Sequence, residues 1–269
     1  MSSNHLLRQH APISDHSWSE LDAEAADRLR SHLGARRLVD FDGPKGWEFS
    51  SIDLGRVEKV QAGDDANSSV QRRLVLPVIE VRHDFSISRA ELLNGDRGAP
   101  DIDLDPLEVA AWQLAVTENR AVFHGWAEAG ITGITDASSY DPVTRPDDFD
   151  DYPSAVAAAV TTLRSGGVDG PYAIALGVED WTSVMETTED GYPIADHVKK
   201  ILGGPIVWAP GIDGAVVLSA RGGDFEFHCG QDISVGYHHH DADSVHLYLE
   251  ESFGFRVIEP DAGIAITGA

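Results

Sequence analysis

The stretch WAPGIDGAVVLSARGGDFEFHCGQDISVGY, residues 208–237, constrains the fold most. It sets two apolar runs of β character around an Arg-Gly-Gly-Asp turn, and it carries no recognisable catalytic motif. From Ile206 onward strand follows strand, whereas the first half reads as helices and a long hairpin. Helices and strands without regular alternation make the fold class α+β. With 269 residues, roughly three quarters of the unfolded surface can be buried, in one large domain or two small ones.

Residues 14–33 read as an amphipathic helix, with Trp18, Leu21, Ala25, Leu29 and Leu33 at three- and four-residue spacing. Ser17-x-x-Glu20 is a capping-box pattern near its start. The pattern favours an ordinary core-facing helix, and a stripe that docks a partner is the alternative. WEFSSIDLGRVEKV and VQRRLVLPVIEV are strand-like runs around the polar QAGDDANSS, predicting a hairpin arm too poor in apolar surface to stand alone. Such an arm usually pairs with something, a neighbouring subunit included.

Asp105-Pro106 opens the clearest helix, with Asp105 as predicted N-cap, running over residues 105–129. Residues 135–153 read as a loop, 154–164 as helix, and 172–177 as a buried strand. Two further helices are predicted over 178–189 and 192–202.

Charge is the outlying property: 45 acidic against 20 basic residues leave −25, with only four lysines. That balance argues against nucleic-acid and anionic-membrane partners, which need cationic patches. A many-copy assembly of so acidic a chain repels itself at low ionic strength, so salt is expected to help it. A saline habitat would account for the acidity equally well. The single cysteine, Cys229, suits a reducing compartment. MSSNHLLRQHAPIS lacks an apolar signal region, and no run approaches eighteen apolar residues. The expected location is cytoplasmic.

No constellation predicts catalysis. His238-His239-His240-Asp241-Ala242-Asp243 with His246 is dense in metal-ligating types. Consecutive side chains point in different directions, however, so a solvated turn is favoured and no metal site is predicted. Arg221-Gly222-Gly223-Asp224 lacks phosphate-loop spacing and reads as a tight turn. Cys229 sits in an apolar run where a buried, inert thiol is the default. No enzyme is predicted.

Several segments in order carry a resemblance: APIS with Trp18 and Glu20, GARRLVDFDGPKGWEFS, LPVIEVRHDFSISRAEL, ENRAVFHG, GVDGPY and GYPI. RGGDFEF, GQDISVGY and HLYLEESFGFRV continue it. Across almost its whole length the chain resembles the encapsulins, proteins that assemble into hollow icosahedral shells. The resemblance implies the tailed-phage capsid fold of the Hong Kong 97 type, with a P-domain, an E-loop and an A-domain. Residues 1–45, 77–130 and 220–269 would form the P-domain, with inner-wall helix 14–33 and spine helix 105–129. Residues 46–76 would be the E-loop and 131–219 the A-domain. Icosahedral closure implies about 60 copies or a multiple of the same chain.

The resemblance also implies a function. The shell encloses a cargo enzyme, a dye-decolourising peroxidase or a ferritin-like iron oxidase, through the cargo's C-terminal peptide. Carried over by position, the docking surface includes Leu29, Leu33, Arg36, Asp40 and Ile233; packing of the P-domain is the competing role for the apolar ones. Glu186, Thr187, Thr188, Glu189, Asp190, Gly191 and Tyr192 align with the five-fold pore loop. Carboxylates repeated around an axis would favour cations such as ferrous iron. Some encapsulins stack a flavin on a Trp within the segment matching SRAEL; Ala90 stands there, so no cofactor is expected. A phage or prophage capsid protein is the alternative, and a bacteriocin or peptidase the least favoured one.

Overall fold

The computed structural model describes residues 4–60, 69–189 and 191–268. Short 3-10 turns at Asn4–Leu6 and Arg8–His10 lead into helix α1, Asp15–His32. Its cap is Ser14, whose hydroxyl accepts from the Ser17 amide at 3.1 Å, so the predicted capping role moves three residues upstream. Ser17 is buried instead and donates to Asp96 at 2.8 Å. Trp18, Leu21, Ala25 and Leu29 are buried on one face, as their spacing predicts.

A 3-10 turn at Ala35–Arg37 and the three-residue strand β1, Asp40–Asp42, follow. Strands β2 (Ser51–Val60) and β3 (Val70–Pro77) pair as the expected hairpin. Most of its predicted connection, QAGDDANSS, lies outside the described residues. Val57, Val60, Val70 and Val75 all stand exposed, so the arm presents apolar side chains to solvent. The run VQRRLVLPVIEV is two strands rather than one: β4 (Ile79–Ser88) leaves the hairpin and joins another sheet.

Helix α2 (Arg89–Asp96) was not predicted; Ser88 caps it, accepting from the Ala90 amide at 3.2 Å. The spine helix α3 spans Asp105–His124. Asp105 is its first residue and Leu104 the cap position, correcting the predicted cap. The helix also stops five residues before the predicted end, because Gly125 (φ 83°) turns the chain out and a 3-10 turn at Ala127–Ala129 follows. The stretch read as a loop over 135–153 holds helix α4 (Ile134–Ala137) at its start, and strand β5 (Val143–Thr144). Helix α5 then covers Tyr152–Ser165.

Strand β6 (Tyr172–Leu176) is buried at all five positions, as its unbroken apolar run predicts. Helix α6 is Val178–Glu186 and helix α7 Ile194–Leu202. Between them strands β7 (Thr188–Glu189) and β8 (Tyr192–Pro193) form a small hairpin in place of the longer predicted helices. The remaining strands are β9 (Gly203–Trp208), β10 (Ala215–Ser219), β11 (Phe225–Cys229), β12 (Ser234–His240), β13 (Ser244–Val257) and β14 (Gly263–Thr267).

Among the described residues these strands build two five-stranded sheets. One runs β1-β11-β13-β12, with β4 also laid against β13 from Ser244↔Ser88 to Phe253↔Ile79. The other runs β5-β14-β10-β6-β9, so the last strand of the chain shares a sheet with residues 143–219. The apolar core falls into two clusters, the larger of which also takes Phe225, Phe227 and Phe253 from the first sheet. α5 and α7 pack on the second sheet, around Tyr152, Val156, Ile174 and Val198. α1 and α3 pack on the first, around Leu21, Leu107, Leu114, Ile87 and Leu247.

Candidate docking groove and pore hairpin

Where α1 passes the β12–β13 pair, a groove of about 290 Å³ opens. Leu29, Val235 and Leu249 line it with buried apolar surface, and Ile233 and Ala25 complete the wall. At its mouth the Arg8 guanidinium donates to both oxygens of Asp22, at 3.1 and 2.7 Å, and lies 4.0 Å over the Trp18 ring. This pair is solvated and worth roughly 0–1 kcal/mol.

The five predicted docking residues do not share one pocket. Leu29 and Ile233 both line the groove. Leu33 is the C-cap of α1 and packs, partly buried, against the same apolar cluster. Asp40 lies apart on β1, where its carboxylate accepts the Gly223 amide at 2.5 Å and lines a separate cavity of about 200 Å³.

Arg36 is engaged within the chain. Its guanidinium donates from Nε to Glu118 at 2.6 Å, from Nη1 to Asp232 at 2.8 Å and from Nη2 to Glu251 at 2.7 Å. Glu118 and Glu251 have no solvent exposure. Burial works against the Arg36 charge, and the flanking carboxylates more than reverse this, holding it firmly protonated. Glu118, Glu251 and Asp232 escaped the sequence reading. One signal was available: Glu118 falls between Leu114 and Val122 at four-residue spacing, a carboxylate inside an apolar stripe.

The predicted pore residues form the hairpin between α6 and α7. Glu186 ends α6, and the Ile194 amide donates to the Thr187 carbonyl at 3.2 Å to close the base. Thr188 and Glu189 pair with Pro193 and Tyr192, while Gly191 takes the turn at φ 81°. Asp190 lies outside the described residues. The exposed Tyr192 ring stacks on His197 at 5.0 Å, and its hydroxyl accepts from Lys200 at 3.2 Å.

His238–His240 end strand β12 itself, and the turn falls at the following residues. A bulge between Tyr237 and His239 shifts their register. Tyr237 and His240 share a 2.6 Å hydrogen bond, and His239 stacks on His246. Among the described residues no group of three or more His, Cys, Asp or Glu is placed to hold a metal ion. Gly222 and Gly223 take φ 82° and 83°, and Arg221 clamps Asp224 across them, so this segment is the tight turn its sequence predicts. Cys229 is buried, and burial pushes its thiol up to about 12. No described helix is long and apolar enough to cross a membrane.

Residues 3–254 match the Linocin_M18 family, described as an encapsulating protein for peroxidase. The chain belongs to this encapsulin family. It is 48% identical over 271 residues to the type 1 encapsulin shell protein of Rhodospirillum rubrum, covering 98% of this chain and 97% of that one. It is 41% identical to the type 1 encapsulin shell protein of Brevibacterium linens, covering 98% and 99%. Among solved structures, the virus-like particle from Pyrococcus furiosus superposes with TM-score 0.67 at 14% identity, over 93% of this chain and 98% of that one. The capsid of Myoviridae phage XM1 gives 0.51 at 12% identity, over 88% and 92%. The fold is therefore the tailed-phage capsid fold that the sequence motifs implied, and this encapsulin is a structural subunit of a multi-copy shell.

Proposed function

We propose that this encapsulin encloses a cargo enzyme and captures it through a short C-terminal peptide laid in the groove beside α1. The observation that carries this reading is the apolar groove itself, with Leu29 and Ile233 among the residues lining a volume suited to a few side chains. Leu33 extends the apolar surface at the end of α1, Arg36 supports the wall from behind, and Asp40 offers a carboxylate further along. Several weak peptide contacts add up when an oligomeric cargo meets many subunits at once. A dye-decolourising peroxidase is the favoured cargo, since the family description names a peroxidase; a ferritin-like iron oxidase is the alternative. The test is co-expression of the shell with a fluorescent protein carrying the C-terminal peptide of a dye-decolourising peroxidase. Fluorescence that travels with the purified shells supports the reading, and empty shells contradict it.

The subunit itself works without an active site, in the cytoplasm, in shells of about 60 copies or a multiple. The hairpin arm (residues 46–76) serves as the E-loop, reaching a neighbouring copy with its exposed valines. Residues 131–219 serve as the axial A-domain, with β14 completing their sheet. The rest forms the P-domain around α3. The α6–α7 hairpin lines the five-fold pore, where Glu186, Glu189 and Asp190, repeated around the axis, favour cations over anions.

A further inference from the structure

Arg36, Glu118 and Glu251 form a buried cluster whose charges do not balance. Each carboxyl accepts from the same guanidinium through Oε2, and the Oε1 atom of each is buried without a partner. The two carboxyls lie within hydrogen-bonding reach of one another. Two carboxylates against one guanidinium leave an uncompensated negative charge in a site closed to bulk solvent, which is strongly unfavourable. One proton removes both difficulties, because its O–H donates across the pair and cancels the excess charge.

We infer that Glu118 and Glu251 share one proton, and that this pair fixes Arg36 and, through it, the Asp232–Ile233 wall of the groove. The link is continuous. Arg36 Nη1 donates to Asp232 Oδ1 at 2.8 Å, and the same oxygen accepts the Ile233 amide at 2.9 Å. Next to it the Gln231 amide donates to Ser252 Oγ at 2.7 Å, beside Glu251 in the chain. The wall of the groove is thus tied to the interior at two points. That Ile233 contacts cargo rests on the docking proposal; the proton pair does not.

The groups facing the cluster come from every neighbouring element: Arg36 from the 3-10 turn, Glu118 from α3, Glu251 from β13, Asp232 from the β11–β12 loop and Cys229 from the end of β11. The Phe41 and Phe227 rings lie 5.3 and 5.1 Å from the guanidinium. Burial raises both carboxyls, and the charge of Glu118 lifts Glu251 well above the ordinary 4.5. A carboxyl raised in the folded state lends its full stability below its unfolded value and loses it as pH climbs through the folded value. Rising pH therefore strips the shared proton, leaves two carboxylates on one guanidinium, and loosens the Ile233 wall.

The test uses assembled shells without cargo. Infrared difference spectra should show a protonated-carboxyl C=O band in the wild type that E251Q removes. Hydrogen-exchange protection of the Ile233 segment should fall with rising pH, by up to about tenfold per unit once the proton is lost. E251Q is the permanently neutral isostere, so it should assemble and abolish that fall; E118Q serves the same purpose if E251Q does not assemble. A wild type lacking the band, a glutamine variant that keeps the wild-type pH dependence, or failure of both single variants to assemble would each overturn the inference.

Discussion

The Tyr152 hydroxyl donates to the Asp180 carboxylate at 2.7 Å, and neither residue is exposed to solvent. Arg145 donates to the other oxygen of the same carboxylate, also at 2.7 Å. Helices α5 and α6 and the chain after β5 are thus pinned at one buried point. Burial, reinforced by the Asp180 charge, raises the Tyr152 phenol far above its ordinary value, so it stays a donor. Tyr152→Phe leaves the acceptor short of one partner and should cost about 1–3 kcal/mol. Denaturant unfolding of the subunit measures this; an unchanged midpoint would mean the bond contributes nothing net.

Ile233→Asp should leave shells intact and weaken cargo-peptide docking by about tenfold or more, the equivalent of roughly 1.4 kcal/mol. Ile233 is only partly buried, so the fold tolerates the charge there. Leu29→Asp should instead prevent folding, because Leu29 is 6% exposed and belongs to the core. Pull-down of tagged peptide by purified Ile233→Asp shells distinguishes the two; undiminished loading would remove Ile233 from the site.

Gly211 sits at φ 93°, and a Cβ added there would lie 2.6 Å from a methyl of Val116 on the spine helix. Gly211→Ala combines strained backbone with overpacking and should destabilise by about 1–3 kcal/mol. Thermal unfolding of the variant beside the wild type gives the answer, and equal midpoints would show that the loop shifts freely.

Cys229 should resist alkylation by iodoacetamide in native shells at mildly alkaline pH, since its thiol is buried and pushed up to about 12. Denaturation should expose one reactive thiol per chain. Rapid labelling of the native shell would contradict this burial.

Much of the fold was legible because its signals are local. The apolar spacing of α1 and α3, and the unbroken run Tyr172–Leu176, each report a burial pattern within one element. What escaped depends on distant partners. Helix α2 has Leu92 as its only buried apolar side chain and gains its place from Ser88 and from α1. The hairpin between α6 and α7 was hidden because each of its strands is only two residues long, too short for a period-two pattern. Nothing within Asp40–Asp42 announces a parallel partner in β11, and nothing in Gly263–Thr267 announces its place beside β10. In the groove, Leu29 and Ile233 were reachable through the family resemblance. The carboxyls behind Arg36 were not, because Glu251 lies in a strand far from Glu118 in sequence.

Electron microscopy of the purified protein at low and high salt tests the central claim most directly. With a net charge of −25 per chain, closed uniform shells should form, and form more completely at high salt, where screening shortens the repulsion to within about 10 Å. Monomers at both salt concentrations would contradict the account.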